Sequence, residues 1–438
     1  MTIEKIFVIA DDLTGASDAA FQFHADSRRV RVCFAVDHPW DFTLGSDIVQ
    51  AFDSETRNAA SGAAAKIMRL ACDLLYTQVG SGCRVYKKVD STLRGPVGIE
   101  IQTALAALGK RWAILAPSFP ETGRTVLNGC VLIKGVPISQ TVFRRDPLAP
   151  VAADRIAEII RQTSDLPVYE VGLSTLRKGA DAVWQSLLRN GEGIVVIDAE
   201  TQADLDCVAD LVASRPDVLP CGSAGLAHSL AGAWLPPAPV STNTSTETRI
   251  PDTGSKGRVL VLIGSAHPQA YRQLNYLKDE LPITHMVIDR DGRMEEYSEK
   301  LQEWASLRDC DNDQIIAVSV SQDDREPPLK PWLIENYLAE IAREWFRIVS
   351  LEQASQIGIF VTGGATATAV CRGLGIQALW PMGELAPGVT YTMAHVNGRQ
   401  LTVITKAGGF GDETVLLESA RFLTGGNTHA VNGKGRLM

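Results

Sequence analysis

The sequence lacks a basic excess, closely spaced cysteines and long apolar runs. Its 438 residues contain 42 Lys+Arg against 51 Asp+Glu, a formal net charge of −9. Because binding to a nucleic-acid backbone needs a basic surface, we expect no nucleic-acid partner. The eight cysteines form no C-x-x-C pair, which predicts reduced thiols rather than disulfides or a zinc site. The first apolar run, residues 6–10, is too short for a signal peptide or a membrane span. We therefore expect a cytoplasmic protein with no membrane partner.

Several enzyme signatures are absent as well. The chain contains no G-x-x-x-x-G-K-[ST] phosphate loop, no G-x-S-x-G nucleophile turn, and no strand followed by a clean G-x-G-x-x-G. These absences argue against P-loop nucleotide hydrolases, serine hydrolases of the α/β type and the standard dinucleotide-binding fold.

Short β-branched runs alternate with segments of helical spacing, which predicts an α/β fold. The runs are continuously apolar, as expected for parallel strands that are buried on both faces. Strands are predicted at residues 6–10, 30–36, 48–52, 84–88, 112–115, 193–197, 259–263, 285–288, 315–320, 357–361, 390–396 and 401–405. Helices are predicted at residues 59–76, 96–108, 151–162, 176–188, 269–278, 332–349 and 367–374.

A stretch rich in Pro, Ser and Thr begins near residue 236 and predicts a linker, because it has too few apolar residues to bury. We therefore expect two α/β domains, each with a mostly parallel sheet flanked by helices. The predicted boundaries are an N-terminal domain at residues 1–235, the linker at 236–257, a C-terminal domain at 258–425 and a flexible tail at 426–438.

Two adjacent aspartates, Asp11 and Asp12, follow the first predicted strand and open a helix. Ligands of open α/β sheets bind at the carboxyl ends of strands, so this is a favoured position for a site. Paired carboxylates are costly there unless they meet a cation, a metal or substrate hydroxyls. The simpler alternative is that the aspartates cap the helix and favour its dipole, and Thr14 can also serve as the cap.

The segment KKVDSTLRG, residues 87–95, lies at another strand end and contains three cations, a carboxylate and two hydroxyls. Such a set fits a polyhydroxylated acid, in which Lys or Arg would hold the carboxylate while Asp90 and Ser91 would hold the hydroxyls. The alternative is a solvated charged turn. Arg57, in the segment DSETR after a third strand, is a weaker candidate of the same kind.

Two further turns have a structural interpretation, which is as good as a functional one for the first turn and is favoured for the second. PSFPETGR, residues 117–124, forms a rigid turn in which Arg124 could face a phosphate, or a purely structural loop. GSAGLA, residues 222–227, favours close packing between a strand and a helix.

Three glycine-bearing turns follow strands in the predicted C-terminal domain. They read GSAHP, TGGATA and KAGGFGD at residues 264–268, 362–367 and 406–412. Glycine lets a backbone approach a phosphate, and helix N-termini supply N–H donors with a favourable dipole. One such turn needs no ligand, but three in one domain predict a nucleotide phosphate site. His267 is predicted to be a capping or core histidine rather than a ligand.

The motifs ADDLTGASDAA, KKVDSTLRG, APSFPETGR, VLIGSAHP, VTGGATATAV and KAGGFGDE together resemble those of the four-carbon acid sugar kinase family, in the same order and from residue 5 to about 423. The resemblance implies an N-terminal sugar-acid domain and a C-terminal nucleotide domain. It implies substrate contacts at Asp11, Arg57, Lys88, Val89, Asp90 and Ser91. It implies ATP contacts at Ser265, Gly363, Gly364, Ala365, Thr366 and Gly408. The family's last loop often reads S-G-N-F-G, so A-G-G-F-G at residues 407–411 is a departure.

On this resemblance we expect an ATP-dependent kinase that phosphorylates the terminal 4-hydroxyl of a four-carbon sugar acid. D-threonate is favoured, and 3-oxo-tetronate and D-erythronate are the alternatives. Asp11 or Asp90 would accept the hydroxyl proton, and the sequence does not choose between them. Mg²⁺ is expected from the chemistry, bound mostly through phosphates and water. A homodimer is the default expectation. From other classes, the alternatives are a sugar-acid-binding protein without turnover and a nucleotide-dependent oxidoreductase.

Overall fold

A computed structural model describes residues 5–24, 28–34, 48–79, 82–146, 149–151, 153–187, 191–235, 257–289, 293–306, 314–322, 329–351 and 357–425. The chain divides into two compact units, Met1–Ser241 and Thr242–Met438. The predicted linker, apart from residue 257, and the predicted tail lie outside the described residues.

The first unit is built on a parallel sheet. The described strands of the unit, which include three outside this sheet, are β1 (Lys5–Ala10), β2 (Arg29–Phe34), β3 (Ile48–Asp53), β4 (Cys83–Lys88), β5 (Trp112–Ala116), β6 (Arg124–Leu127), β7 (Cys130–Ile133), β8 (Val136–Pro137), β9 (Val168–Val171), β10 (Gly193–Ile197) and β11 (Val218–Gly222). The parallel sheet has the order β2-β3-β1-β4-β11-β5-β10-β9. β5, β10 and β11 are buried along their whole length, as continuous apolar runs require.

Helices alternate with these strands along the chain. The described α-helices are α1 (Leu13–Phe21), α2 (Ser61–Val79), α3 (Val97–Leu108), α4 (Ile156–Arg161), α5 (Leu173–Leu176), α6 (Ala180–Leu187), α7 (Gln202–Ala213) and α8 (Ala224–Trp234). Short 3₁₀ helices occupy Pro120–Thr122, Ile138–Gln140 and Val142–Arg145. The predicted α/β architecture is confirmed.

Two predicted helices of the first unit are wrong in extent. The helix predicted at 151–162 begins only at Ile156, because the chain before it serves β7: the Val131 N–H donates to the Asp154 carbonyl at 3.0 Å. The helix predicted at 176–188 is divided into α5 and α6, because Gly179 has a φ of 100° and interrupts the helical path.

A small antiparallel sheet of β6, β7 and β8 was not predicted from the sequence. Its strands are only 4, 4 and 2 residues long, too short for a period of two to be recognised. Asn128-Gly129 and Lys134-Gly135 form its tight turns, and all four residues have a positive φ.

The second unit has a mixed sheet. Its described strands are β12 (Arg258–Ile263), β13 (Thr284–Ile288), β14 (Ile315–Val320), β15 (Ile357–Thr362), β16 (Ala378–Ala386), β17 (Val389–Val396) and β18 (Arg399–Lys406). In the order β13-β14-β12-β15-β18-β17-β16, the first five strands run parallel, and β17 and β16 join antiparallel. The strands predicted at 390–396 and 401–405 are observed as β17 and β18, which form a hairpin with Asn397 and Gly398 at φ 49° and 79° in its turn.

The helices of the second unit help to hold the glycine-bearing turns in place. They are α9 (Pro268–Glu280), α10 (Met294–Ser306), α11 (Pro331–Leu351), α12 (Gly364–Gly373) and α13 (Val415–Leu423). A buried core joins Ile263 of β12, Phe360 of β15 and Ile404 of β18 to Leu274 of α9 and Leu416 of α13. Within the described residues, no helix combines the length and the apolar character needed to cross a lipid bilayer.

Candidate functional site

Three polar turns of the first unit leave neighbouring strands at the same edge of the sheet. β3, β1 and β4 are adjacent and parallel, and Ala10 pairs with Asp53 in the register. Because the carboxyl ends of parallel strands meet at one edge, the turns that begin at Asp11, Ser54 and Val89 lie together.

Asp12, and not Thr14, is the N-cap of α1. Its Oδ1 accepts from the Gly15 N–H at 2.8 Å, and Thr14 Oγ1 donates to Asp12 Oδ2 at 2.7 Å. A carboxylate at this position satisfies a helix donor and is favoured by the helix dipole. The capping interpretation is therefore correct for Asp12, while Asp11 contacts Arg57.

Arg57 joins the three turns, and its side chain is only 12% exposed. Its Nε and Nη2 donate to the two oxygens of Asp11 at 2.8 and 3.0 Å. Its Nη1 and Nη2 donate to the two oxygens of Asp12 at 2.5 and 2.8 Å. Nη2 also lies 3.8 Å from Asp90 Oδ1. The sequence-predicted residues Asp11, Arg57 and Asp90 are thus brought into one charged cluster.

The charges in this cluster stabilise one another. Burial alone would raise the pKa of the Asp11 carboxyl, but the Arg57 guanidinium and two nearby lysines hold it below its ordinary value. Burial also opposes the charged form of Arg57, yet Asp11, Asp12 and Asp90 raise its pKa well above the ordinary value. At neutral pH the cluster therefore contains a carboxylate at Asp11 and a cation at Arg57.

Asp90 is held by a second arginine. Arg94 Nε donates to Asp90 Oδ2 at 2.8 Å and Arg94 Nη2 to Oδ1 at 3.2 Å, while Thr92 Oγ1 also donates to Oδ2. Burial would raise the pKa of Asp90, but Arg94 and then Arg57 hold it well below its ordinary value. Asp90 is therefore an ionised carboxylate of fixed orientation at neutral pH.

Arg94 is itself anchored by a distant part of the chain. Its Nη1 lies 3.0 Å from Asp146 Oδ2, and its guanidinium lies over the Phe143 ring at 5.4 Å from the centroid. In the sequence, Arg94 is only one of the three cations of residues 87–95, and nothing singles out Asp146. Arg94 and Asp146 are 52 positions apart in the sequence, so no local sequence pattern predicts their contact.

The predicted residues Lys88, Val89 and Ser91 are buried beside the cluster. Lys88 Nζ donates to the Val89 carbonyl at 3.0 Å, and the Val89 N–H donates to the Gly222 carbonyl at 2.9 Å. The Val89 side chain is 0% exposed. Since both backbone groups of Val89 have protein partners, this residue positions the turn.

Lys87 forms part of the core of the unit. Its side chain and that of Glu100 are each 1% exposed, and Lys87 Nζ lies 2.9 Å from Glu100 Oε2. The same ammonium donates to the Lys88 carbonyl at 2.9 Å. This pair therefore fixes the start of the turn that carries Asp90.

A cavity of about 240 Å³ opens beside Arg57 and Arg94. Its lining includes two arginines, uncharged polar side chains and apolar residues, and no carboxylate from the described chain. The lining residues are Arg57, Asn58, Ala59, Leu93, Arg94, Gly95, Pro96, Ala149, Pro150, Val151, Ile159, Gln162 and Thr163. This composition suits a small polar molecule that carries a negative charge.

Arg124 and Ser223, from the turns at residues 117–124 and 222–227, are buried. Arg124 is 5% exposed, its Nη1 donates to the Thr122 carbonyl, and burial lowers its pKa to about 10. Ser223 is the N-cap of α8, where its Oγ accepts from the Gly225 N–H and donates to the Ser118 carbonyl. The packing interpretation of residues 222–227 agrees with these contacts.

The three glycine-bearing turns of the second unit follow β12, β15 and β18, which are neighbours in the sheet. A Cβ on Gly264 would overlap the Thr366 side chain, and a Cβ on Gly408 would overlap Ser265 Oγ. The Ser265 N–H donates to Thr362 Oγ1 at 3.3 Å. The predicted residues Ser265, Thr366 and Gly408 therefore lie in one closely packed group. Its neighbouring side chains leave no room for a Cβ at Gly264 or Gly408.

The first turn of α12 lies within this group. Gly363 is its N-cap with a φ of 98°, and no side chain caps the helix. The first N–H groups of a helix, here those of Gly364, Ala365 and Thr366, have no acceptor inside the helix and lie at the positive end of its dipole. This part of the chain is suited to an anion.

His267 is a capping residue, as predicted. It is the N-cap of α9, and its Nδ1 accepts from the Gln269 N–H at 3.1 Å. A Cβ on Gly409 would stand 2.9 Å from His267 Nε2. His267 thus supports the third glycine-bearing turn by contact.

Lys406 ends β18 and is 0% exposed. Its Nζ donates to the Ala407 carbonyl at 3.0 Å and to the Gly408 carbonyl at 3.1 Å. Burial lowers the pKa of Lys406 to about 7. In the sequence, this lysine only begins a glycine-bearing turn, because burial cannot be seen in a motif.

The two units offer different chemistry. The first provides ionised carboxylates fixed by arginines, which can accept from hydroxyl groups, and the second provides backbone N–H groups and glycines suited to phosphate. Within the described residues, no group of three or more His, Cys, Asp or Glu side chains is arranged to hold a metal ion.

Each half of the chain matches a known family model. A family model described as a sugar-binding N-terminal domain matches residues 6–230, and one described as a nucleotide-binding C-terminal domain matches residues 260–416. The chain is 31% identical over 436 residues to the D-threonate kinase of Salmonella typhimurium (strain LT2), covering 96% of this chain and 98% of that protein. It is 26% identical to the 3-oxo-tetronate kinase of Brucella melitensis, covering 95% of each. It is 25% identical to the D-erythronate kinase of Heliobacterium modesticaldum, covering 94% and 95%.

Solved structures share the fold. A Salmonella typhimurium LT2 protein superposes with a TM-score of 0.74 at 23% identity, covering 96% of this chain and 99% of that chain. A Haemophilus influenzae protein gives a TM-score of 0.66 at 21% identity, covering 95% and 100%.

Proposed function

This chain belongs to the four-carbon acid sugar kinase family, and from that premise we propose that it transfers the γ-phosphoryl group of ATP to the terminal 4-hydroxyl of D-threonate. That the enzyme is a sugar-acid kinase follows from its relatives, which are kinases of four-carbon acids. The choice of D-threonate is supported by two D-threonate kinases at 31% identity. The 3-oxo-tetronate and D-erythronate kinases quoted above are more distant, at 26% and 25%, and their substrates are the alternatives.

The observation that carries the proposal is the charged cluster at the carboxyl edge of the first unit. We assign recognition of the sugar acid to Asp11, Arg57 and the turn from Lys88 to Ser91. The adjoining cavity of about 240 Å³ has two arginines in its wall, and arginine pairs well with a carboxylate. The ionised oxygens of Asp11 and Asp90 accept from substrate hydroxyls.

We assign the nucleotide to the glycine-bearing turns of the second unit. Ser265, Gly408 and the first turn of α12, from Gly363 to Thr366, form the closely packed group described above. A side chain at Gly408 would fill space within it, and the N–H groups at the start of α12 are suited to phosphate oxygens.

Proton acceptance falls to Asp90 in this proposal, with Asp11 as the alternative. Arginines hold both carboxylates, but Oδ1 of Asp90 accepts only a 3.2 Å bond from Arg94, whereas the two oxygens of Asp11 accept from Arg57 at 2.8 and 3.0 Å. The pKa of Asp90 lies well below its ordinary value because Arg94 and Arg57 outweigh the effect of burial. Such a carboxylate is a weak base. A strong base is not required, because positioning and charge neutralisation supply most of the rate of phosphoryl transfer.

Mg²⁺ would neutralise charge on the transferred phosphoryl group when bound with ATP. The described residues contain no dense cluster of metal-binding side chains. That fits an ion held chiefly by phosphate oxygens and water, as Mg²⁺ commonly is with nucleotides.

The decisive experiment measures ADP release by a coupled assay with D-threonate, L-threonate, D-erythronate, L-erythronate and 3-oxo-tetronate, each with ATP and Mg²⁺. We expect the highest kcat/KM with D-threonate and a product phosphorylated on the 4-hydroxyl. A higher kcat/KM with another acid would replace D-threonate as the substrate. Tight binding of an acid with no ADP release would instead favour a binding protein without turnover.

A further inference from the structure

A buried ammonium stands behind the glycine-bearing turns of the second unit. Lys406 is 0% exposed, and its described partners are two carbonyl oxygens, those of Ala407 and Gly408. An ammonium has three donors and a full charge. The two carbonyls satisfy donors but do not neutralise the charge, so its burial is costly in this state of the protein.

Among the residues that the structure describes, none forms an ion pair with Lys406. In the sheet, Lys406 pairs with Thr362 of β15 and with Val389 of β17, which are uncharged. Burial is the cause of its lowered pKa, which lies near 7. On the adjoining elements, Lys278 of α9 and His395 of β17 are exposed. Other titratable and charged groups there include His267, Arg272, Glu384, Tyr391, Asp412 and Glu418.

Those groups have other partners. Glu384 accepts from the Gly388 N–H at 2.7 Å, and Asp412 accepts from Thr414 Oγ1 at 2.8 Å. Arg272 donates to Gln269, Glu418 accepts from Thr414, and His267 accepts from the Gln269 N–H. The Tyr391 ring packs at a tilted angle against Phe422, with 4.9 Å between the ring centroids. Among the described residues, none of these groups forms an ion pair with Lys406.

We propose that Lys406 is a positioning residue whose buried charge is balanced by the nucleotide, so that nucleotide binding draws a proton onto Lys406. Its ammonium holds the carbonyls of Ala407 and Gly408, and through them it sets the third turn against Ser265. The inference rests on the proposed binding of nucleotide phosphates at these turns. An arriving phosphate would supply the negative charge that the described protein lacks near Lys406.

The physical consequence is a linkage between protons and nucleotide. With a pKa near 7, the lysine of the nucleotide-free enzyme is mostly neutral at pH 8. A nearby phosphate favours the charged form and returns the pKa towards the ordinary value of about 10.4. Binding at pH 8 should therefore take up about 0.9 proton per nucleotide, against about 0.1 at pH 6.

The test is calorimetric titration of the full-length enzyme with ADP in excess Mg²⁺, in buffers of different ionisation enthalpy. ADP is not turned over, and its terminal phosphate, with a pKa of about 6, is ionised at pH 8 but about half protonated at pH 6. The protons that ADP itself releases on binding at pH 6 are therefore added to the measured value to give the uptake by the enzyme. The dependence of the heat on the buffer gives the number of protons taken up. We expect the values above for the native enzyme, and equal uptake at pH 8 and pH 6 would overturn the proposal.

Substitutions of Lys406 distinguish the effect of its charge from the effect of its hydrogen bonds to the third turn. Lys406→Arg keeps a permanent charge, so it should bind ADP without proton uptake at pH 8. Lys406→Met should bind ADP at least tenfold more weakly, also without uptake. Lys278→Met, at an exposed lysine of α9, is the control and should behave as the native enzyme does.

The outcomes are distinguishable from those that bear on the proposed function. ADP binding with undiminished proton uptake in Lys406→Arg would refute the role of Lys406 and leave the nucleotide site standing. No ADP binding by the native enzyme would refute the nucleotide site and this inference with it. If a variant fails to fold, the comparison of pH 8 with pH 6 in the native enzyme still decides.

Discussion

Replacing Arg57 by Met tests whether one arginine holds the three turns of the first unit together. The native guanidinium makes four hydrogen bonds to Asp11 and Asp12 and stands 3.8 Å from Asp90. Removing one partner of a buried ion pair costs about 3–5 kcal/mol, because the other charge remains buried alone. Since two carboxylates lose their partner together, we expect a loss near about 5 kcal/mol in the free energy of unfolding of the first unit.

The effect of Arg57→Met should depend on pH with a definite sign. The pKa values of Asp11 and Asp90 are lowered in the folded protein, where arginines outweigh the opposing effect of burial. Their contribution to stability is present above the ordinary carboxyl pKa of about 3.9 and is lost as the pH falls through the folded-state values. The difference between native protein and variant should therefore be largest near pH 7 and shrink below about pH 4.

Urea unfolding followed by tryptophan fluorescence at several pH values measures this difference. Arg155→Met is the matched control, because Arg155 pairs with Glu170 and its side chain is 49% exposed, and exposed pairs contribute little. The reasoning is refuted if Arg57→Met shifts the urea midpoint no more than Arg155→Met does. It is also refuted if the shift stays constant from pH 7 through the carboxyl range down to about pH 2.

Two further predictions concern activity. Asp90→Asn should lower kcat at least about a hundredfold if Asp90 accepts the hydroxyl proton, and a near-normal kcat in steady-state assays would transfer that role to Asp11. Gly408→Ala should raise KM for ATP severalfold, because its Cβ would displace Ser265 Oγ from the group of turns. Gly232→Ala is its control, since a Cβ there meets nothing within 4 Å, and an equal KM for ATP in both variants would contradict the nucleotide assignment.

The buried strands of the fold are well predicted by the sequence. The predictions at 193–197 and 315–320 coincide with β10 (Gly193–Ile197) and β14 (Ile315–Val320), because a continuous apolar run identifies a strand covered on both faces. The small antiparallel sheet was not predicted, because its strands are too short to show an alternation of apolar and polar residues. The Asn128-Gly129 pair was the available signal, since this dipeptide favours a tight hairpin turn.

The candidate site is predictable only where it follows from strand ends. Asp11, Arg57 and Asp90 could be grouped because parallel strands deliver their carboxyl ends to one edge. The contact between Arg94 and Asp146 depends on how the chain returns after the small sheet, which no local pattern encodes. The role of Lys406 could not be predicted either, because its burial without an ion-pair partner among the described residues is seen only in the structure.

The Lys87–Glu100 pair restricts the substitutions that either position can accept alone. Each side chain is 1% exposed, so a lineage that loses either charge strands the other in the protein interior. Replacement of both by apolar residues of similar size can be tolerated, but each single intermediate is poorly stable. These two positions should therefore tend to change jointly, and the buried interior restricts which related sequences can be reached by one substitution at a time.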